Sequence, residues 1–142
     1  MKHQKTGRQF GRKRAPRKAL QRTMLGSLVL RERMETTEAK AKELKGVIDR
    51  MITRAKRAQK AKNPQMEILR KLEGDMPLVA IKKLSHTMMS RFDSRTSGYT
   101  RVIKLSPRKS DGARMALIEF VDKKAKVKEK TIPSKATTKK AA

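Results

Sequence analysis

The chain contains no cysteine, which removes disulfides, thiol catalysis and thiolate metal sites together and fits a reducing compartment. It also has no tryptophan, one tyrosine and three phenylalanines. Proteins that hold single-stranded nucleic acid on stacking platforms need several aromatics on one surface, and four rings that must also serve a core cannot supply them. Acidic residues are scarce: 13 Asp and Glu stand against 39 Lys and Arg, for a formal net charge of +26 over 142 residues. Such an imbalance destabilises a compact state through self-repulsion, and a polyanion offsets it. Nucleic acid is the usual polyanion, with an anionic membrane surface a weaker candidate. Apolar runs such as Leu28 to Leu30 are far too short to span a bilayer. The basic N-terminus is followed by no apolar segment, so it does not read as a secretory signal. The partner expected on these grounds is folded, largely helical RNA, or duplex DNA, gripped by its phosphates.

What is present divides into three blocks. Residues 1–22 carry nine Lys or Arg and no acid, and residues 122–142 carry eight Lys and two acids. The middle block holds 22 basic and 11 acidic residues, together with most of the periodic apolar residues. The reading is a basic arm over 1–14, a globular domain over 15–121 and a Lys/Ala/Thr-rich tail over 122–142. Arm and tail are too polar to offset the entropy of ordering and are expected to be disordered in the free protein.

Pro16 suits the first position of a helix that runs to about Arg31. Its first half carries Arg17, Lys18 and Arg22, and its second half Met24, Leu25, Leu28, Val29 and Leu30. One end therefore faces an anion, or merely solvent, while the other enters a core. Arg33 to Thr36 is a possible short strand. Thr36 or Thr37 offers a cap for the next helix, with Glu38 favourable in its first turn. There Leu44, Val47, Ile48, Met51, Ile52 and Ala55 recur at helical spacing. Asn63-Pro64 marks a stop and restart, Gly74 ends a short helix, and Asp75 is expected to cap another with Leu78, Ile81, Leu84 and Met88 inward. Tyr99 to Leu105 and Met115 to Val121 read as antiparallel strands joined by a long basic loop with Pro107 and Asp111-Gly112 as turn residues. The fold class expected is α+β, with helices packed on a small sheet that contains a C-terminal antiparallel hairpin.

Catalytic constellations are not evident. His3 lies in the arm and His86 in a helix, neither within a ligand pattern. No Gly-rich phosphate loop occurs, and Asp49 and Glu119 have no counterpart with which to act as acid and base. No cofactor, metal or small-molecule substrate is expected. The 16 arginines, by contrast, are concentrated in the arm, the helices and the hairpin, and none lies in the tail. Arginine offers a planar fork to phosphate, so geometric recognition belongs to those segments, and the tail lysines act as diffuse charge.

Several segments carry a resemblance. The opening Met1-Lys-His-Gln-Lys-Thr-Gly-Arg8, the run Arg17-Lys-Ala-Leu to Arg22, and Thr36-Thr-Glu-Ala-Lys-Ala-Lys-Glu-Leu44 occur in order. Gly98-Tyr-Thr-Arg101 with Ile103, Lys104 and Leu105 follows, then Pro107-Arg108, Asp111 and Glu119-Phe-Val121. In this order and spacing the chain resembles the bacterial large-subunit ribosomal protein seventeen family from Met1 to about Val121. Gln4, Thr23, Met34 and Ser97 depart from its pattern. The resemblance implies a non-enzymatic component of the large subunit that contacts the main ribosomal RNA and neighbouring ribosomal proteins near the exit of the peptide tunnel. The RNA-binding residues expected are Lys2, His3, Lys5, Arg8, Arg12, Lys13 and Arg14 of the arm, Arg17, Lys18 and Arg22 of the first helix, Lys40 and Arg101 in segments that carry the resemblance, and Arg108 and Lys109 of the hairpin loop. Two other readings compete. A nucleoid-type DNA-binding protein would suit the charge, although no dimer seam or groove-reading helix stands out. An RNA-modifying enzyme lacks a recognisable site.

Overall fold

The computed structural model describes residues 7–121. Helix α1 spans Arg14–Arg31. Pro16 is its third residue rather than its first. The opening N–H groups of a helix have no intrahelical acceptor, so the ring is tolerated there as well. Leu25, Leu28 and Val29 are buried, while Leu30 is exposed on the opposite side. The helix stops at Glu32, whose φ of 64° turns the chain into the left-handed region while its N–H reaches the Leu28 carbonyl at 2.8 Å. A non-glycine residue holds such a conformation only where its surroundings over-determine it. Here the Glu32 carboxylate receives Arg91 Nη1 at 3.0 Å and lies 3.4 Å from Lys83 Nζ, and its carbonyl accepts the Phe120 N–H.

The chain then enters strand β1, Arg33–Thr37, which confirms the short early strand. Helix α2, Glu38–Gln59, follows at once with Thr37 in the capping position. The threonine hydroxyl makes no capping bond; the first helical N–H, that of Glu38, goes to the Arg114 carbonyl at 2.9 Å instead. Ala41, Leu44, Val47, Ile48, Met51, Ile52, Ala55 and Ala58 form the buried stripe of α2. Helix α3 spans Pro64–Leu72 with proline at its start, as Asn63-Pro64 implied.

Asp75 does not cap the next helix. That helix, α4 (Leu78–Lys83), has Pro77 in the capping position, and Asp75 instead pairs with Arg54 at 3.0 Å and lies 3.9 Å from Lys18. Leu78, expected inward, is exposed, because the shift of the helix start turns it to solvent; Ile81, Leu84 and Met88 are buried as expected. Beyond α4 the coil widens into a π turn over Leu84–Met88 and tightens into a 3-10 turn over Met89–Phe92. This delivers Phe92 against Tyr99 and Phe120, with ring centroids 5.3 and 5.7 Å away.

Strands β2, Thr100–Lys104, and β3, Met115–Phe120, form the late hairpin. Strand β3 lies in the middle of a three-stranded antiparallel sheet of order β1-β3-β2. Ala116, Ile118 and Phe120 face the helices, and Thr100 and Val102 beside them and Met34 opposite share that face. Register places Arg33, Glu119 and Arg101 in one row on the other face. The architecture is α+β, four helices on one small sheet.

Candidate nucleic-acid interface

Because the acids are few, where they are spent decides which cations remain available. Glu32 is held by Arg91 and Lys83, Glu38 by Lys42 at 2.7 Å, Glu67 by Lys71, Asp75 by Arg54, and buried Glu119 by Arg101 at 2.6 Å. The carboxyl of Glu32 feels burial most strongly, which raises it, but the hydrogen bond and charge of Arg91 and the charge of Lys83 outweigh burial and leave it below its usual range. Glu38 is lowered chiefly by its hydrogen bond from Lys42, with Lys104 and Arg114 adding attraction.

Of the arm residues expected to meet RNA, Lys2, His3 and Lys5 lie outside the described residues, as does the segment 122–142. From Gly7 the chain makes a tight turn. Phe10 and Gly11 take φ of 53° and 62°, Arg12 N–H reaches the Gln9 carbonyl at 3.1 Å, and Arg12 Nη1 donates to the Phe10 carbonyl at 2.9 Å. Lys13 then occupies the capping position of α1 and accepts the Arg17 N–H. Arg14, Lys18 and Arg22 follow at four-residue spacing and Arg17 lies beside them, so one side of the first half of α1 is basic. Among the described residues, the side chains of Arg8, Arg14, Arg17, Arg22, Lys40 and Lys109 make no ion pair or hydrogen bond.

The structure brings Arg8 to a place that the sequence did not indicate. Arg8, Thr37, Glu38, Ala39, Lys42, Ala113 and Arg114 line an open recess of about 370 Å³. Arm, start of α2 and base of the hairpin therefore meet. Lys42 and Arg114 were absent from the expected set. Their charge was visible, but only the pairing of β1 with β3 sets the start of α2 beside Arg114. Lys40 is half-buried near the same end of α2.

The hairpin residues divide. Arg101 is engaged with Glu119 across the sheet. In the loop, Arg108 grips Asp111 with both arms of its guanidinium, Nε at 2.9 Å and Nη2 at 2.6 Å. The hydrogen bond from Arg108, then that from the Ala113 backbone, holds the Asp111 carboxyl at about 2, so the pair is charged at any physiological pH. Lys109 is exposed beside them. His86 lies on a helical surface with Nδ1 3.5 Å from Gln65 Nε2. Among the described residues, no three or more His, Asp or Glu gather as a metal cluster would require, and no helix is long and apolar enough to cross a membrane.

A family model described as Ribosomal protein L17 matches residues 20–121. A large ribosomal subunit protein bL17 of Sorangium cellulosum is 40% identical over 144 residues, covering 86% of this chain and 84% of that one. Counterparts of the same name are similar: that of Rubrobacter xylanophilus is 42% identical, covering 86% of this chain and 97% of its own, and that of Staphylococcus carnosus is 44% identical, covering 80% and 98%. With the match running from within α1 through the remaining helices and all three strands, the chain belongs to the ribosomal protein L17 family.

Proposed function

We propose that this protein is a structural constituent of the large ribosomal subunit, a non-enzymatic component that binds and stabilises ribosomal RNA through phosphate contacts. Its place is in the cytoplasmic ribosome, among neighbouring large-subunit proteins near the exit of the peptide tunnel. The observation that carries the RNA contact is the segregation of charge. Six of the eleven acids of the globular domain pair with its own cations, whereas Arg8, Arg14, Arg17 and Arg22 make no ion pair or hydrogen bond among the described residues. Fixed on a helix, Arg14, Arg17, Lys18 and Arg22 form a rigid row for one stretch of RNA backbone. The basic arm ahead of α1 adds further cations to that row.

The test is twofold. Sedimentation of a cell lysate on a sucrose gradient should place the protein with large subunits at moderate salt. Loss of that comigration on DNase treatment alone would favour the competing nucleoid-type role. Deleting residues 2–12 leaves the α1 start at Lys13 and Arg14 in place and removes Lys2, Lys5, Arg8 and Arg12. Each lost phosphate contact lowers the slope of log affinity against log salt by roughly 0.7–0.9, so the slope should fall by up to about 3.6 along with the affinity. An unchanged slope and affinity would exclude the arm as an RNA anchor.

A further inference from the structure

The acid at position 111 is out of place on charge alone. It sits in an exposed loop between Arg108, Lys109 and Arg114, where a carboxylate repels the phosphate that the loop is proposed to meet. It also does nothing for the core. From Leu105 to Gly112 every residue is exposed, and both hydrogen bonds of the Arg108–Asp111 pair stay inside the loop. Exposed pairs of this kind contribute little to stability.

What the acid does is fix geometry. Arg108 N–H bonds to the Ala113 carbonyl at 2.9 Å and Gly112 N–H to the Arg108 carbonyl at 2.8 Å, while Gly112 takes a φ of 65° that favours glycine. Asp111 Oδ1 accepts the Ala113 N–H at 3.2 Å and, with Oδ2, the fork of Arg108. The loop tip is thus tied at its backbone and at its one arginine. A free arginine side chain samples many rotamers, and ordering it on binding is unfavourable; a planar two-bond clamp orders it beforehand.

We propose that Asp111 is a positioning residue for Arg108: it holds the guanidinium by Nε and Nη2 and leaves the remaining N–H groups, on Nη1 and the far side of Nη2, to an RNA phosphate. This rests on the RNA-binding reading above. It makes a prediction opposite in sign to simple electrostatics. Asp111→Asn removes a negative charge and keeps an oxygen for the Ala113 N–H, yet it abolishes the charged clamp.

The experiment uses the full chain and protein-free RNA extracted from purified large ribosomal subunits, with binding measured at several salt concentrations. The variants are Arg108→Ala, Asp111→Asn and the two together. Arg108→Ala should weaken binding and lower the salt slope. Asp111→Asn should weaken binding roughly two- to tenfold, the factor that corresponds to ordering one rotamer-rich side chain, despite the gain in net charge. In the Arg108→Ala background the same change should be neutral or tighten binding, because only charge is then altered. Tighter binding of Asp111→Asn with Arg108 present would overturn the proposal and make the carboxylate a mere competitor for the arginine. Equal weakening in both backgrounds would overturn it too, by pointing to loop conformation. If Arg108→Ala leaves affinity and slope unchanged, the loop contact fails while the arm deletion still tests RNA binding. If the parent chain itself shows no salt-dependent binding, the RNA-binding reading fails.

Discussion

Gly26 lies inside α1 where the helix crosses the segment before α4. A Cβ added there would sit 2.8 Å from Pro77 Cγ and 3.0 Å from Pro77 Cδ, well inside the roughly 3.5 Å at which carbon atoms begin to attract. The obstacle is a proline ring, which closes onto its own backbone nitrogen and cannot rotate away. Gly26→Ala therefore sets two terms against each other. Helix propensity favours alanine by roughly 1 kcal/mol. Overpacking of a tight site disfavours it by roughly 1–3 kcal/mol. The net expectation is destabilisation by about 1 kcal/mol. Gly46, in the middle of α2, is the control: a Cβ there meets nothing within 4 Å, so Gly46→Ala should keep the propensity gain and stabilise by about 1 kcal/mol. For a domain of this size the two variants should shift the thermal midpoint a few degrees in opposite directions, roughly 3–6 °C each. Thermal unfolding followed by circular dichroism, at one salt concentration high enough to screen self-repulsion, reads both. Pro77→Ala combined with Gly26→Ala should recover part of the loss, as expected for groups in direct contact. If Gly26→Ala stabilises the protein as much as Gly46→Ala, the close approach of α1 to Pro77 does not depend on the missing side chain, and the reasoning is wrong.

Glu32 provides an acid-sensitive tie. Its carboxyl is lowered from the usual 4.5, so the stability it contributes is complete above that value and is lost as pH falls through the lowered one. Urea midpoints between pH 7 and 3 should show Glu32→Gln less stable by about 1 kcal/mol at neutral pH, with a shallower acid decline than the parent; equal declines would refute the assignment. Thr100 carries a buried hydroxyl that finds no partner among the described residues. Thr100→Val, which keeps the branched shape and the strand preference, should raise stability by about 1 kcal/mol in the same measurement, and a loss would mean that the hydroxyl is satisfied.

The local signals were legible where the chain's own spacing decides the outcome. The buried stripe of α2 is the apolar series from Leu44 to Ala55 extended to Ala41 and Ala58. The β-branched runs after Tyr99 became strands, and Asn63-Pro64 separates two helices. What escaped depends on contacts between distant segments. Asp75 has the chemistry of a helix cap, but Arg54, 21 residues away, claims it. The positions of Arg8 and Arg114 follow from a strand pairing, Arg33 with Glu119 through Thr37 with Met115, that no short window contains. For the interface, the sequence located the cations but not their commitments. Arg101 and Arg108 looked equivalent to Arg14 and Arg22, yet each has an acid partner, 18 and 3 residues away.

Those commitments explain how so basic a domain holds together before any RNA neutralises it. Self-repulsion acts over the whole surface, whereas an ion pair acts at one place. Several of the acids stand at joints between elements: Glu32 where α1 meets the α4 segment, Asp75 between α2 and the α3–α4 turn, Glu119 between β2 and β3. At a joint, one carboxylate both removes a repulsion and fastens two elements. The same charge on an outward helix face would only weaken attraction to RNA. The first half of α1 follows that rule without exception, since no acid occurs before Glu32. On the proposed reading, charge used to fasten the fold and charge offered to RNA are therefore separated between these joints and the first half of α1. Asp111 stands at no joint between elements, and its clamp on Arg108 inside the exposed loop gives that loop its claim to a specific geometric role.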